Sequence, residues 1–187
     1  MTVGILLVDP QLDFFPGGAL GVNDGDAIVA PINELLRRHP QLPVFASRDW
    51  HPTSTRHFAA RGGRWPPHCV QETPGAGFHP ELAMASAEVF DKGTDPDNDA
   101  GYSAFEGRSR GHGGRSLADA LGAEHVDALI VAGLATDYCV KASVLDACTR
   151  GLTTFVLAPG VRAVDVQAGD GERALAEMRA AGALVIG

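Results

Sequence analysis

The chain has 187 residues, 45% of them hydrophobic, and a formal net charge of -8. That length suits one domain spanning residues 1–187, and the negative charge argues against a nucleic-acid or anionic-membrane partner. No apolar run approaches the ~20 residues that cross a bilayer. The start, MTVGILLVDP, carries no basic leader, and Cys69, Cys139 and Cys148 are too sparse for a disulfide framework, so a reducing cytoplasm is expected. Monomer and homo-oligomer are both left open.

Val3 to Val8 is a continuous apolar run, as in a buried parallel strand, and ends at Asp9-Pro10. Asp24 to His39 follows with helical spacing of Ile28, Ile32, Leu35 and Leu36, Asp24 or Asp26 as cap, and Pro40 just beyond the end. Pro43 to Ser47 reads as a second strand. The irregular region 48–87 is dense in His, Trp, Pro and Gly, and loops this long in a compact domain are usually functional. A short helix near Pro80 to Ala85 closes it. Glu88 to Asp91 is a third strand with Lys92 at its end. A second loop, Gly93 to Gly114, begins acidic, with 94–100 read as solvated, and turns Gly-rich. Leu117 to Leu121 gives a turn or two of helix.

Val126 to Ala132 is the fourth strand. The turn Gly133 to Asp137 offers Thr136 or Asp137 as helix cap, and Cys139 opens the helix that runs to Ala147. Thr153 to Leu157 is a fifth strand closed by Pro159-Gly160, Asp170 to Ala181 a helix, and Ala183 to Ile186 the last strand. Alternating strands and helices predict an α/β fold: a three-layer α/β/α sandwich around a six-stranded, mainly parallel sheet.

Asp9, Lys92 and Cys139 then stand at three strand ends on one sheet edge, where ligands bind in open parallel sheets. A thiol at a helix start is biased towards thiolate. A neighbouring carboxylate can take its proton and an ammonium can hold the carboxylate. The Ala135 and Cys139 backbone N–H groups are placed for an oxyanion. Taken singly, each has a structural reading: Cys139 as a small core residue, Asp9 as a turn residue, Lys92 as a surface charge. Asp49 and His51 share one side of an extended segment, and His57 and His68 follow in the same loop. One carboxylate and three imidazoles suit a single divalent transition metal ion (Zn, Fe or Mn); the plain alternative is a polar loop with surface histidines. His39, His79, His112 and His125 show no pattern. Phe14, Trp65, Tyr102 and Tyr138 flank both sets and suit either a flat-ring pocket or ordinary packing.

VDPQLDFFPGGAL, SRDWHP with His57, RWPPHCVQETPGAGFHP, VFDKG, GYSAFEG and GLATDYCVKASVLDA together resemble the nicotinamidases (pyrazinamidases) of the isochorismatase-like cysteine hydrolase superfamily. The resemblance runs from near residue 3 to the C-terminus. It implies the isochorismatase-like fold, with Asp9, Lys92 and Cys139 as catalytic triad and Asp49, His51, His57 and His68 as metal ligands. It further implies a cis peptide between Leu134 and Ala135, oxyanion donors at Ala135 and Cys139, and a ring-binding wall of Phe14, Trp65, Tyr102, Leu134 and Tyr138. Position 138 is Tyr where some members carry His. Cys69 adjoins His68 but is not read as a ligand, because neighbouring side chains in an extended segment diverge. The implied activity is hydrolysis of nicotinamide, and of pyrazinamide, to the acid and ammonia in NAD salvage. The alternative is another cysteine amidase of the superfamily acting on a different small amide; such members generally lack the metal loop. A redox sensor using Cys139 would leave Asp9 and Lys92 unexplained.

Overall fold

A computed structural model describes residues 1–84, 86–98 and 101–187. Its centre is a sheet of seven strands among the described residues: β1 (Val3–Val8), β2 (Val44–Asp49), β3 (Glu88–Lys92), β4 (Arg108–Ser109), β5 (Ala128–Leu134), β6 (Thr153–Arg162) and β7 (Leu184–Ile186). The strand order is β4-β3-β2-β1-β5-β6-β7. All neighbours are parallel except β3 with β4. The expected six-stranded sheet thus gains a strand. β4 is two residues long and lies inside the stretch read as loop 93–114, too short to leave a period-2 signal.

Alternation along the strands sends side chains to two cores. Leu6 and Val8 of β1 pack with Phe45, Phe90, Leu129 and Val131 under α2 (Leu117–Ala123), α3 (Lys141–Thr149) and α4 (Asp170–Ala180). Ile5 and Leu7 face the other way, onto Ile28, Ile32 and Leu36 at α1 (Val29–Arg38), and onto Phe14, Phe15 and Trp50 from the loops. Helices therefore cover both faces, as the alternating pattern predicts. No helix is long and apolar enough to cross a membrane among the described residues.

Several boundaries differ from expectation. The segment before α1 is a 3-10 turn, Gly25–Ile28, and Asp24 makes no side-chain cap. Residues 80–82 form a turn rather than a helix, and Ala85 lies outside the described residues. In segment 94–100, Thr94, Asp95, Asp97 and Asn98 are exposed, as a solvated loop requires, and 99–100 lie outside the described residues. β6 runs through Pro159-Gly160 to Arg162, absorbing them with a register shift against β5 between Val131 and Gly133.

β1 lies at the centre, flanked by β2 and β5. The chain order changes direction there, so the crevice beyond the strand ends opens beside β1. Gly133 is paired with Val8 and has φ +125°; a Cβ there would stand 2.0 Å from the Val8 carbonyl oxygen. Only glycine allows β5 this close to β1. Gly133→Ala is expected to cost at least about 3 kcal/mol through clash and backbone strain together. Urea unfolding checks it, and a midpoint within error of wild type would contradict this account of the strand contact.

Candidate active site

Asp9 follows β1 directly and adopts a left-handed backbone (φ 44°), which aspartate tolerates better than most residues. Its carboxylate is fully buried. Oδ1 accepts a hydrogen bond from Ser47 Oγ at 2.7 Å. Oδ2 lies 2.9 Å from Lys92 Nζ, a Coulombic pair not aligned as a hydrogen bond. Lys92 is the register partner of Asp49 across β2 and β3. Its ammonium also donates to Asp49 Oδ1 and reaches Cys139 Sγ at 3.6 Å. Burial opposes the ammonium, but Asp49 and Asp9 push its pKa well above the usual lysine range. Asp9, Asp49 and Cys139 offer ligand atoms within 4.8 Å of one another. The Lys92 ammonium reaches all three and so takes the place a cation would fill.

Cys139 sits in a π-helical turn, Thr136–Val140, between β5 and α3. Such turns are frequent at functional sites. Neither Thr136 nor Asp137 caps the turn. Asp137 instead accepts the Val164 and Asp165 N–H groups. The expected bias towards thiolate is also reversed. Burial raises the Cys139 pKa well above the usual thiol value; Lys92 opposes this and the Asp9 carboxylate adds to it. Asp9 is itself raised, first by burial and, against the pull of Lys92, by Asp49. The resting arrangement is a thiol beside a strengthened base. The Leu134-Ala135 peptide bond is cis, as the resemblance implies.

On the far side of Asp49, Oδ2 faces His51 Nε2 at 3.6 Å and His68 Nε2 at 4.0 Å. His51, His57 and His68 are buried and offer nitrogens within 4.8 Å of one another. His51 Nδ1 bonds the Gly93 carbonyl at 3.0 Å, and His68 Nδ1 bonds the Pro66 carbonyl at 2.8 Å. A carbonyl can only accept, so both rings carry hydrogen on Nδ1, which in a neutral imidazole leaves Nε2 as the lone pair. His51 Nε2 is buried with no hydrogen-bond partner among the described residues. Burial holds the His68 pKa down to about 4, in the neutral form a metal needs. Lys92 and the neighbouring histidines outweigh burial at Asp49 and hold it ionised. Three imidazoles and one carboxylate fit a divalent transition metal. Cys69 does not enter the cluster: its backbone N–H is held by Asp13 Oδ2 at 2.7 Å, and its thiol stays protonated through burial.

Gln11 fixes Asp49 from behind. Its Oε1 accepts the Asp49 N–H and its Nε2 donates to the Asp49 carbonyl, each at 2.7 Å. Asp49, His57, His68 and Cys139 open onto one cavity. Phe14, Trp65, Tyr102 and Tyr138 line it, as expected. Trp65 Nε1 donates to the Tyr102 hydroxyl at 3.1 Å, and both rings meet Tyr138 edge-on. Leu134, expected in this wall, instead packs its side chain wholly into the core, because alternation along β5 points it inwards. Leu20 and Val164 line the cavity in addition. Leu20 could have been suspected as a lone large apolar residue in a Gly-rich loop; Val164 carries no comparable signal.

This arrangement has relatives. Residues 3–187 match the isochorismatase domain. The chain is 44% identical to the nicotinamidase of Escherichia coli, covering 96% of this chain and 92% of that protein. It is 39% identical to the nicotinamidase/pyrazinamidase of Mycobacterium tuberculosis, covering 95% and 94%. The crystal structure of the pyrazinamidase of Pyrococcus horikoshii in complex with zinc superposes with a TM-score of 0.89 at 40% identity, over 100% of this chain and 99% of that one. The chain belongs to the isochorismatase family.

Two measurements probe the geometry. A Cβ on Gly93 (φ +66°) would lie 2.4 Å from His51 Cε1, so Gly93→Ala should displace the carbonyl that orients His51 and weaken metal binding about 10–100-fold. Competition against a chromogenic chelator reads this, and unchanged affinity would refute the orienting role. In metal-stripped protein, alkylation of Cys139 should be slow at pH 7 and climb only above about pH 9, the usual thiol range. Rapid modification at pH 7 would restore the thiolate reading.

Proposed function

We propose that the chain is a metal-dependent nicotinamidase that converts nicotinamide to nicotinate and ammonia, and pyrazinamide likewise, through a thioester on Cys139. The observation that carries the reading is the shared cavity. One side offers a thiol with its base; the other offers a site for a Lewis acid, across a space lined by aromatic rings. Asp49, His51, His57 and His68 would hold a divalent transition metal (zinc, iron or manganese), which would supply Lewis acidity towards the ring nitrogen. The ring is then held between Phe14, Trp65, Tyr102 and Tyr138, with its carboxamide over Cys139.

The residues act as follows. Asp9 takes the Cys139 proton as sulfur bonds to the amide carbon, so the buried thiol need not ionise beforehand. The backbone N–H groups of Ala135 and Cys139 receive the oxyanion. The C–N bond breaks as Asp9 returns the proton to the leaving nitrogen, and ammonia departs. Water then gives a proton to Asp9 and its oxygen to the thioester carbon. The C–S bond breaks, the acid is freed, and Asp9 gives the proton back to Cys139. Lys92 keeps Asp9 in place and limits how far its basicity rises. The three free cysteines suit a cytoplasmic setting.

Ammonia release from nicotinamide tests the reading directly. Metal-loaded wild type should turn over, chelation should cut the rate more than tenfold with recovery on adding metal back, and Cys139→Ala should lose at least about 10³-fold. Absence of ammonia from loaded wild type would rule the function out.

A further inference from the structure

The steps above leave unused one wall of the cavity, the segment between β6 and α4. Val164 is half-buried there. It lines the cavity and packs against the core cluster that contains Phe14 and Ala135. Most surface segments of this kind would be free to yield to a substrate. This one is tied at both ends. The Val164 and Asp165 N–H groups both donate to the Asp137 carboxylate, each at 2.9 Å. Asp137 is only 7% exposed and stands two residues before Cys139. Asp165, with φ +51°, in turn accepts the Gly171 N–H at 2.8 Å in the first turn of α4. Val164 is β-branched and has few rotamers with which to move aside. Its position is thus referred directly to the turn that carries the nucleophile.

We propose that Val164 is a specificity-determining residue that limits ring substitution on the substrate, and that Asp137 is the positioning residue that holds it there. The proposal rests on the nicotinamidase reading and deepens it. The class at issue is pyridine-3-carboxamides bearing a small substituent on a ring carbon. A methylene-sized misfit in an apolar pocket is worth about 10–200-fold in kcat/KM. Relief of a contact at Val164 should therefore be visible at one ring position and absent at the others.

The test is a panel of nicotinamides methylated singly at each free ring carbon, with kcat/KM read from ammonia release relative to unsubstituted nicotinamide. Val164→Ala should raise that ratio about tenfold or more for at least one methylated amide, and Val164→Leu should lower kcat/KM for nicotinamide itself. Asp137→Asn leaves one of the two N–H groups without its carboxylate oxygen. It should shift the ratio for the same amide in the same direction as Val164→Ala, while a purely structural loss would lower all amides alike. Identical ratios across the panel in Val164→Ala would overturn the inference with the nicotinamidase reading intact. An unchanged ratio in Asp137→Asn would overturn the part given to Asp137. If wild type released ammonia from no member of the panel, the functional reading would fall and the inference with it.

Discussion

A buried ammonium between two carboxylates is the constraint on which this site depends. Lys92 cannot be solvated where it stands, and neither can Asp9 or Asp49. Each charge is tolerable only because the others are there. Parallel strands deliver this cheaply in sequence terms. Asp49 and Lys92 are register partners on β2 and β3, and Asp9 is one step beyond the Val8–Ser47 pair. The same pairing places Arg48 opposite Asp91 one residue earlier, as a second ion pair at 2.5 Å. The two strand ends are therefore joined twice by charge, and of these four residues only Asp49 lines the cavity.

Asp49 belongs to both halves of the site. One oxygen takes the Lys92 ammonium and the other looks towards the histidines. Gln11 grips its backbone on both sides, so the side chain has little freedom to favour either. A carboxylate shared in this way sets the distance between the proposed metal centre and the proposed nucleophile. That distance selects substrates by length, before any wall residue selects them by shape. Gly93 and Pro66 act at one remove, turning imidazoles with their carbonyls.

Most of this was legible in the residues because reactive types fell at the ends of apolar runs. Asp9 ends VGILLV, Lys92 ends the strand at 88–91, and Cys139 follows the longest buried strand of the second half. Strand ends in a parallel sheet share an edge, so convergence could be argued without coordinates. What escaped has physical causes. β4 is shorter than any periodic signal. Leu134 is adjacent to the cavity in sequence but faces the core by alternation. Asp137 looked like a helix cap because local hydrogen bonding is all a sequence window shows, whereas its carboxylate is used 27 and 28 residues away. The thiolate expectation failed in the same way. It counted the turn and the lysine, and could not count burial or the second carboxylate.

The long irregular regions are where the fold becomes a pocket, and they are not loosely held. His51 is bridged to Val70, and Phe58 to Trp65, as short parallel pairs within loop 48–87. The Trp65 indole reaches across to Tyr102 in the second loop. Two residues on, the Ala104 N–H donates to Ser143 Oγ at 2.9 Å, and that hydroxyl donates to the Cys139 carbonyl at 2.7 Å. A continuous run of bonds therefore leads from the histidine loop through the aromatic wall to the turn that carries the thiol. A cavity bounded by such ties exists before substrate arrives. Little ordering entropy is then left to be lost on binding, and more of the binding energy remains for holding the amide against the sulfur.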